Sequence, residues 1–434
     1  MRARSPSWVW RTCQGLVLGC LMLVGLVVLV APATSLPEPG RDLPPDGGPS
    51  QQAQPHGECT VADPQWVTEV APAFEALQIE EAWRYAEGEG VVVAVIDSGV
   101  AGANDHFTDA LQEGVNLLDD GAPADEDTFG HGTAAAGIIA ARPVTGSAVV
   151  GIAPRSTIQP VRIYYADTEE AEDDDEHITP QRIADGIRWA AENGADVINV
   201  SLNTTEDHPD LAAAVATAAE HGALVVASSG NRNTSDIEEN VLRYPAAYEG
   251  VLAVSPVDTT GRWWADAAYE SDIVDVAAPG QHVPTAFFDA GDCILQPFEA
   301  PPSTSWATAH VSGVAALIAS RYPEEDAQQW AYRLQVTASR ASTGASDGQI
   351  GWGIIDPLLA LQFIDDGTAP GPESPTQDGT ESANSTTPDQ DRTVSDDPMG
   401  PAGQTTRWWL LGALGLGAGV VVLVRLRRSR RTAG

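Results

Sequence analysis

Four short segments of the chain put residues able to do acyl-transfer chemistry at points where one kind of local structure should give way to another. Asp97 closes the apolar run Val91 to Asp97 and is followed by Ser98-Gly99, so a carboxylate stands where the chain must turn. The same triplet also suits an ordinary turn. His131-Gly132-Thr133 precedes Ala134 to Ala141, a run of small apolar residues that seats the imidazole at the start of a helix. Histidine works as a general base because its unperturbed pKa lies near neutrality, and a carboxylate behind the ring fixes its tautomer and stabilises the imidazolium. Ser305 lies in Ser303-Thr304-Ser305-Trp306-Ala307-Thr308-Ala309-His310-Val311-Ser312-Gly313, where small residues permit a tightly packed helix leaving the serine. A hydroxyl there gains from the positive end of the helix dipole as it becomes nucleophilic, and a serine that merely caps the helix would look alike. Asn231 follows Ala223 to Gly230, where its amide could donate to a forming oxyanion or hold a turn.

Such residues need a scaffold that brings separated points together. Between residues 78 and 365, short apolar runs alternate with helical patterns. Val91 to Asp97, Gln159 to Tyr164, Asp196 to Ser201, Ala223 to Ser228 and Val251 to Val257 read as strands, the first so continuously apolar that both its faces should be buried. Thr179-Pro180 opens one helix as N-cap and first residue, with Gly194 past its end, and Pro209 opens another that stops at Gly222. Strand, helix, strand in this order predicts right-handed crossovers and an α/β fold, a mostly parallel sheet with helices on both faces. Functional side chains then gather at the carboxyl ends of the strands.

Asp, His, Asn and Ser follow one another along the chain, each at a strand or helix end. The runs VAVIDSGV, FGHGTAAAGIIA, VVASSGN and STSWATAHVSGVAAL resemble the four signature segments of the subtilisin-like (S8) serine peptidases, and the likeness covers about residues 78–365. The resemblance implies the three-layer subtilisin-like fold with Asp97, His131 and Ser305 as a catalytic triad. Ser305 would attack a peptide carbonyl, His131 would act as base and later acid, and Asp97 would orient His131. It further implies that Asn231 and the Ser305 backbone N–H hold the oxyanion. A polypeptide substrate would lie as an added strand beside Ser201, Leu202 and Asn203, with Ser229 and Gly230 also in the groove. The layout of the whole chain, with phrases such as Tyr244-Pro245-Ala246-Ala247-Tyr248 and Gly351-Trp352-Gly353-Ile354-Ile355-Asp356-Pro357, is similar to the mycosins, the membrane-anchored peptidases of type VII secretion systems. That likeness implies exported proteins as substrates and type VII membrane components as partners. Three positions depart from the family pattern: Ser303 stands for Gly, Ala309 for Pro and Asn203 for Gly. If the backbone at Ser303 needs φ above zero, serine there costs about 1–2 kcal/mol.

The ends of the chain read differently from its middle. Arg2, Arg4 and Arg11, the apolar run Leu16 to Val30 and Ala31-Pro32-Ala33 make residues 1–33 an export signal, with an uncleaved signal anchor as the alternative. Residues 34–77 form a Pro- and Gly-rich extension, and 366–406 a linker rich in Asp, Pro, Ser and Thr that cannot supply a core. Residues 407–424 read as a transmembrane helix and 425–434 as a basic cytoplasmic tail, which sets the peptidase domain, 78–365, outside the membrane. Cys13 and Cys20 leave with the signal, so Cys59 and Cys293 remain as the pair expected to form a disulfide in an oxidising compartment.

All 23 basic residues are arginine, and all 61 acids fall between residues 34 and 406 against 14 arginines, a net charge of −47 there. A phosphate backbone would be repelled, which argues against nucleic acid as a partner. The acidic run Asp167 to Glu176 could bind calcium, yet it lacks the glycine and alternation of a dedicated loop and reads better as a solvated insertion. The histidines outside the triad show no metal-ligand spacing, so no cofactor or metal is expected. The alternative to an active peptidase is a weak or inactive peptidase-fold scaffold that stabilises a secretion complex. A lipase-type hydrolase is disfavoured, because no GxSxG elbow surrounds Ser305.

Overall fold

The computed structural model describes residues 65–118, 121–165, 178–232, 241–340 and 345–376. The expected signal, Cys59, the acidic run 167–176, most of the linker, the expected membrane helix and the basic tail lie outside the described residues. Among the described residues no helix is long and apolar enough to cross a membrane.

Two short helices lead in, α1 (Pro72–Ala76) and α2 (Ile79–Ala82). Seven strands then form one sheet: β1 (Val92–Asp97), β2 (Val115–Asn116), β3 (Thr157–Arg162), β4 (Val197–Val200), β5 (Leu224–Ser228), β6 (Val251–Val257) and β7 (Val276–Pro279). Their order across the sheet is β2-β3-β1-β4-β5-β6-β7, and every neighbouring pair is parallel. The five strands read from the sequence are all present, and the parallel sheet is as expected. β8 (Val283–Ala286) and β9 (Asp292–Leu295) form a separate antiparallel hairpin.

The alternation of side chains along each strand divides the core in two. Val93 and Val95 of β1 join Val226 of β5 and Leu252 of β6 in one apolar cluster, covered by α3 (His131–Ala140) and α6 (Thr304–Arg321). Ala94 and Ile96 of β1 join Ile198 and Val200 of β4 on the other face, under α4 (Pro180–Glu192) and α5 (Pro209–Glu220). Val311, Val314, Leu317 and Ile318 of α6 are fully buried, each worth about 1.5–3 kcal/mol. α7 (Ala327–Val336) and α8 (Pro357–Gln362) complete the chain, and α8 packs against α6.

Helix starts follow local chemistry. Thr179 caps α4 by accepting from the Arg182 N–H, with Pro180 at the first position, where its missing donor does no harm. The chain ahead of α1 is tied to the hairpin. Gln65 pairs with Asp292, whose buried carboxylate accepts from the Val67 N–H at 2.9 Å and from the Ser147 hydroxyl, and faces Nε2 of buried His106 at 2.7 Å.

Candidate active site

β1, β4 and β5 are neighbours and parallel, so Asp97, Ser201 and Asn231 all emerge at the same edge of the sheet. Asp97 is fully buried at the end of β1. Nδ1 of His131, the first residue of α3, lies 2.9 Å from each of its carboxylate oxygens. Two acceptors on Nδ1 require that nitrogen to carry a proton, so in the neutral imidazole the lone pair is on Nε2. Gly132 permits this approach, because a Cβ there would come within 2.1 Å of the Gly99 carbonyl oxygen and 2.9 Å of the Asp97 Cβ. The Trp306 ring lies 4.7 Å from the imidazole, centroid to centroid, and so brings the residue beside Ser305 against His131.

Ser305 is the second residue of α6, and the N-cap is Ser303, not Ser305. The Ser305 hydroxyl donates to the Ser201 carbonyl oxygen at 3.2 Å, and the Ser201 hydroxyl donates back to the Ser305 carbonyl at 3.0 Å. The Ser305 N–H points at the Ser303 hydroxyl, 3.3 Å away. Asn231 follows β5, and its Oδ1 accepts from both the N–H and the hydroxyl of Thr304, at 2.8 and 2.9 Å. That pair of bonds fixes which way the amide faces, with its oxygen on the helix and its NH2 turned to the other side.

Residues 88–353 match the profile of the subtilase family, peptidase S8. The chain belongs to the subtilase family. It is 34% identical to thermitase of Thermoactinomyces vulgaris over 57% of this chain and 81% of that protein. With the minor extracellular protease Epr of Bacillus subtilis it shares 32% identity over 65% of its own length and 40% of the relative's. Among solved structures it resembles the serine protease MycP1, described as an essential component of the type VII (ESX-1) secretion system, with 27% identity and a TM-score of 0.61. That match covers 74% of this chain and 97% of the other. A chain in the periplasmic assembly of the ESX-5 inner membrane complex matches at 28% identity and TM-score 0.62, over 77% of this chain and 95% of the other.

Within this subtilase, one expectation is corrected. Ser303 has φ −104° and ψ 135°, extended backbone open to any residue, so the anticipated strain does not arise there. Ala309 is buried within α6. Cys293 is buried on β9.

Two residues around the site escaped sequence reading. The Tyr164 hydroxyl donates to Asp97 Oδ1 at 2.9 Å. Burial, followed by the Asp97 charge, pushes that phenol well above its ordinary pKa and keeps it a donor. Asp127, also buried, accepts from the Ser98 hydroxyl at 2.8 Å, from the N–H groups of Phe129, Gly130 and Thr133, and from the Thr133 hydroxyl. It thereby fastens the loop ahead of His131 to the end of β1. The only sequence signal for it was an Asp shortly before a Gly-His helix start, a common capping arrangement.

Proposed function

We propose that this chain is a serine endopeptidase in which Ser305 attacks a peptide carbonyl, His131 takes and returns the proton, and Asp97 holds the imidazole. The observation that carries this reading is the 2.9 Å approach of His131 Nδ1 to buried Asp97, which leaves Nε2 as the basic nitrogen beside the start of α6. Asn231 and the Ser305 N–H would donate to the oxyanion, and substrate would add as a strand beside Ser201, Leu202 and Asn203, with Ser229 and Gly230 also in the groove. In the resting state the Ser305 hydroxyl is turned to the Ser201 carbonyl, so entry of a substrate strand there would displace it toward the imidazole.

The likeness to MycP1 supports association with a type VII secretion system, and with it an anchored, extracytoplasmic peptidase acting on exported proteins. In that reading residues 1–33 direct export, 34–77 extend along the domain with Cys59 bonded to Cys293, 78–365 form the peptidase, 366–406 act as a stalk, and 407–424 span the membrane ahead of the cytoplasmic tail. The test is labelling of the full chain with a fluorophosphonate: one adduct on Ser305, absent in Ser305→Ala. An unlabelled native protein would remove the peptidase reading.

The likeness to a chain of the ESX-5 periplasmic assembly favours a second role, as a scaffold within a secretion complex. Assembly of that complex with Ser305→Ala in place of the native chain would support it, and the two roles are compatible.

A further inference from the structure

Two walls and a floor meet beside the Ser305 hydroxyl. One wall is the chain leaving β4, Ser201 to Thr204, and the other is the chain leaving β5, Ser228 to Asn231. Thr204 pairs with Tyr244 through two backbone hydrogen bonds of 2.9 and 2.8 Å, which sets Arg243 at the base between them. Gly230 leaves room for it: a Cβ there would lie 3.1 Å from both Cγ and Nε of Arg243.

Arg243 is only 2% exposed. Its Nη1 donates to the Val241 carbonyl at 2.7 Å, and its guanidinium carbon stands 4.4 Å from the centre of the Tyr269 ring. Nη2 is buried and meets no acceptor among the described residues. The Ser229 hydroxyl, in the wall just ahead of Gly230, is likewise buried without a partner among them. A guanidinium keeps its charge inside a protein, and a buried donor left without an acceptor is destabilising. An apolar guest would leave that deficit in place, and a neutral amide would offer an acceptor oxygen but no charge to match the guanidinium. A carboxylate would fill it with charge-assisted hydrogen bonds from Nη2 and the serine.

We propose that Arg243 makes this slot select a carboxylate side chain, so that the peptidase cleaves after Asp or Glu. The inference rests on Ser305 as nucleophile. With the attacked carbonyl held between Asn231 and the Ser305 N–H, and the substrate backbone alongside Ser201 to Asn203, the side chain on the neighbouring Cα enters between the walls. The guanidinium at their base then meets it.

The test compares two peptidyl diphenyl phosphonates that differ only in carrying the Glu or the Gln side chain at the position next to phosphorus. The native protein should be labelled at Ser305 at least about tenfold faster by the Glu probe, since a site with unpaired buried donors discriminates strongly against a poorer partner. In Arg243→Gln, checked for a native-like melting curve, the two rates should fall within about threefold of each other. Equal rates in the native protein would overturn the proposal whatever the variant does, and so would a Glu preference that survives in Arg243→Gln. Labelling by a simple fluorophosphonate with no Glu preference would sink this inference alone. No labelling by any probe would sink the nucleophile reading and this inference with it.

Discussion

The hydroxyl of Ser303 accepts the N–H of Ser305 at 3.3 Å, and so occupies the backbone donor expected to face the oxyanion. A transition state that needs this N–H must first displace the serine side chain. Losing one neutral hydrogen bond costs about 0.5–1.5 kcal/mol. Ser303→Gly should therefore raise kcat by roughly two- to tenfold with KM little changed, while loss of the helix cap lowers stability by a few tenths of a kcal/mol. Steady-state kinetics on a peptide substrate check this, and an unchanged or lower kcat would show that the bond does not compete.

Tyr164→Phe removes a hydrogen bond to Asp97 and leaves the ring in place. The carboxylate then carries more charge toward His131 and favours the imidazolium. We expect kcat/KM to fall by about tenfold, because the base is less well held, and the acid limb of its pH profile to move to higher pH. A limb that moves down or stays fixed would remove Tyr164 from this role.

Asn231→Ala deletes the amide. Loss of one such donor in subtilisin, itself the source of the figure, costs about 10²–10³ in kcat, and a fall of that order is expected here with KM nearly constant. A fall confined to KM would mean that Asn231 binds substrate without stabilising the oxyanion.

His310 lies five residues beyond Ser305 on α6, and burial pushes its pKa down to about 4. The fold thus favours neutral imidazole. Above about pH 6.5, where both folded and unfolded chains hold it neutral, there is no loss; as pH falls toward 4 the unfolded chain takes the proton first and stability drops, by on the order of 3 kcal/mol. Asp275 works in the opposite direction, since burial raises its pKa to about 6 and its neutral form is favoured as pH falls through that value. Denaturant midpoints at pH 7.5 and 4.5 should fall less for His310→Gln than for the native chain. An equal fall in both would rule His310 out as a source of the acid sensitivity.

How much of this was legible in the sequence depends on how local each determinant is. Asp97 at the end of β1, His131 at the start of α3 and Ser305 near the start of α6 follow from runs of neighbouring residues, and all lie where those runs placed them. The five strands were likewise local, since each is a short apolar run bounded by turn residues. Tyr164 touches Asp97 across 67 positions of sequence, and Arg243 reaches its place only because Tyr244 pairs with Thr204. No spacing rule reports contacts of that kind. The helix cap fell between the two: Ser303 and Ser305 are both plausible caps by residue type, and the backbone at Ser303 decides between them.

Gln65 lies against Asp292 on the outer strand of the β8–β9 hairpin, and Val67 satisfies the Asp292 carboxylate. Shortening the protein past Val67 would do more than remove a leader. It would uncover an edge whose N–H and C=O groups seek another chain, and the trimmed protein should form concentration-dependent self-associates before it melts.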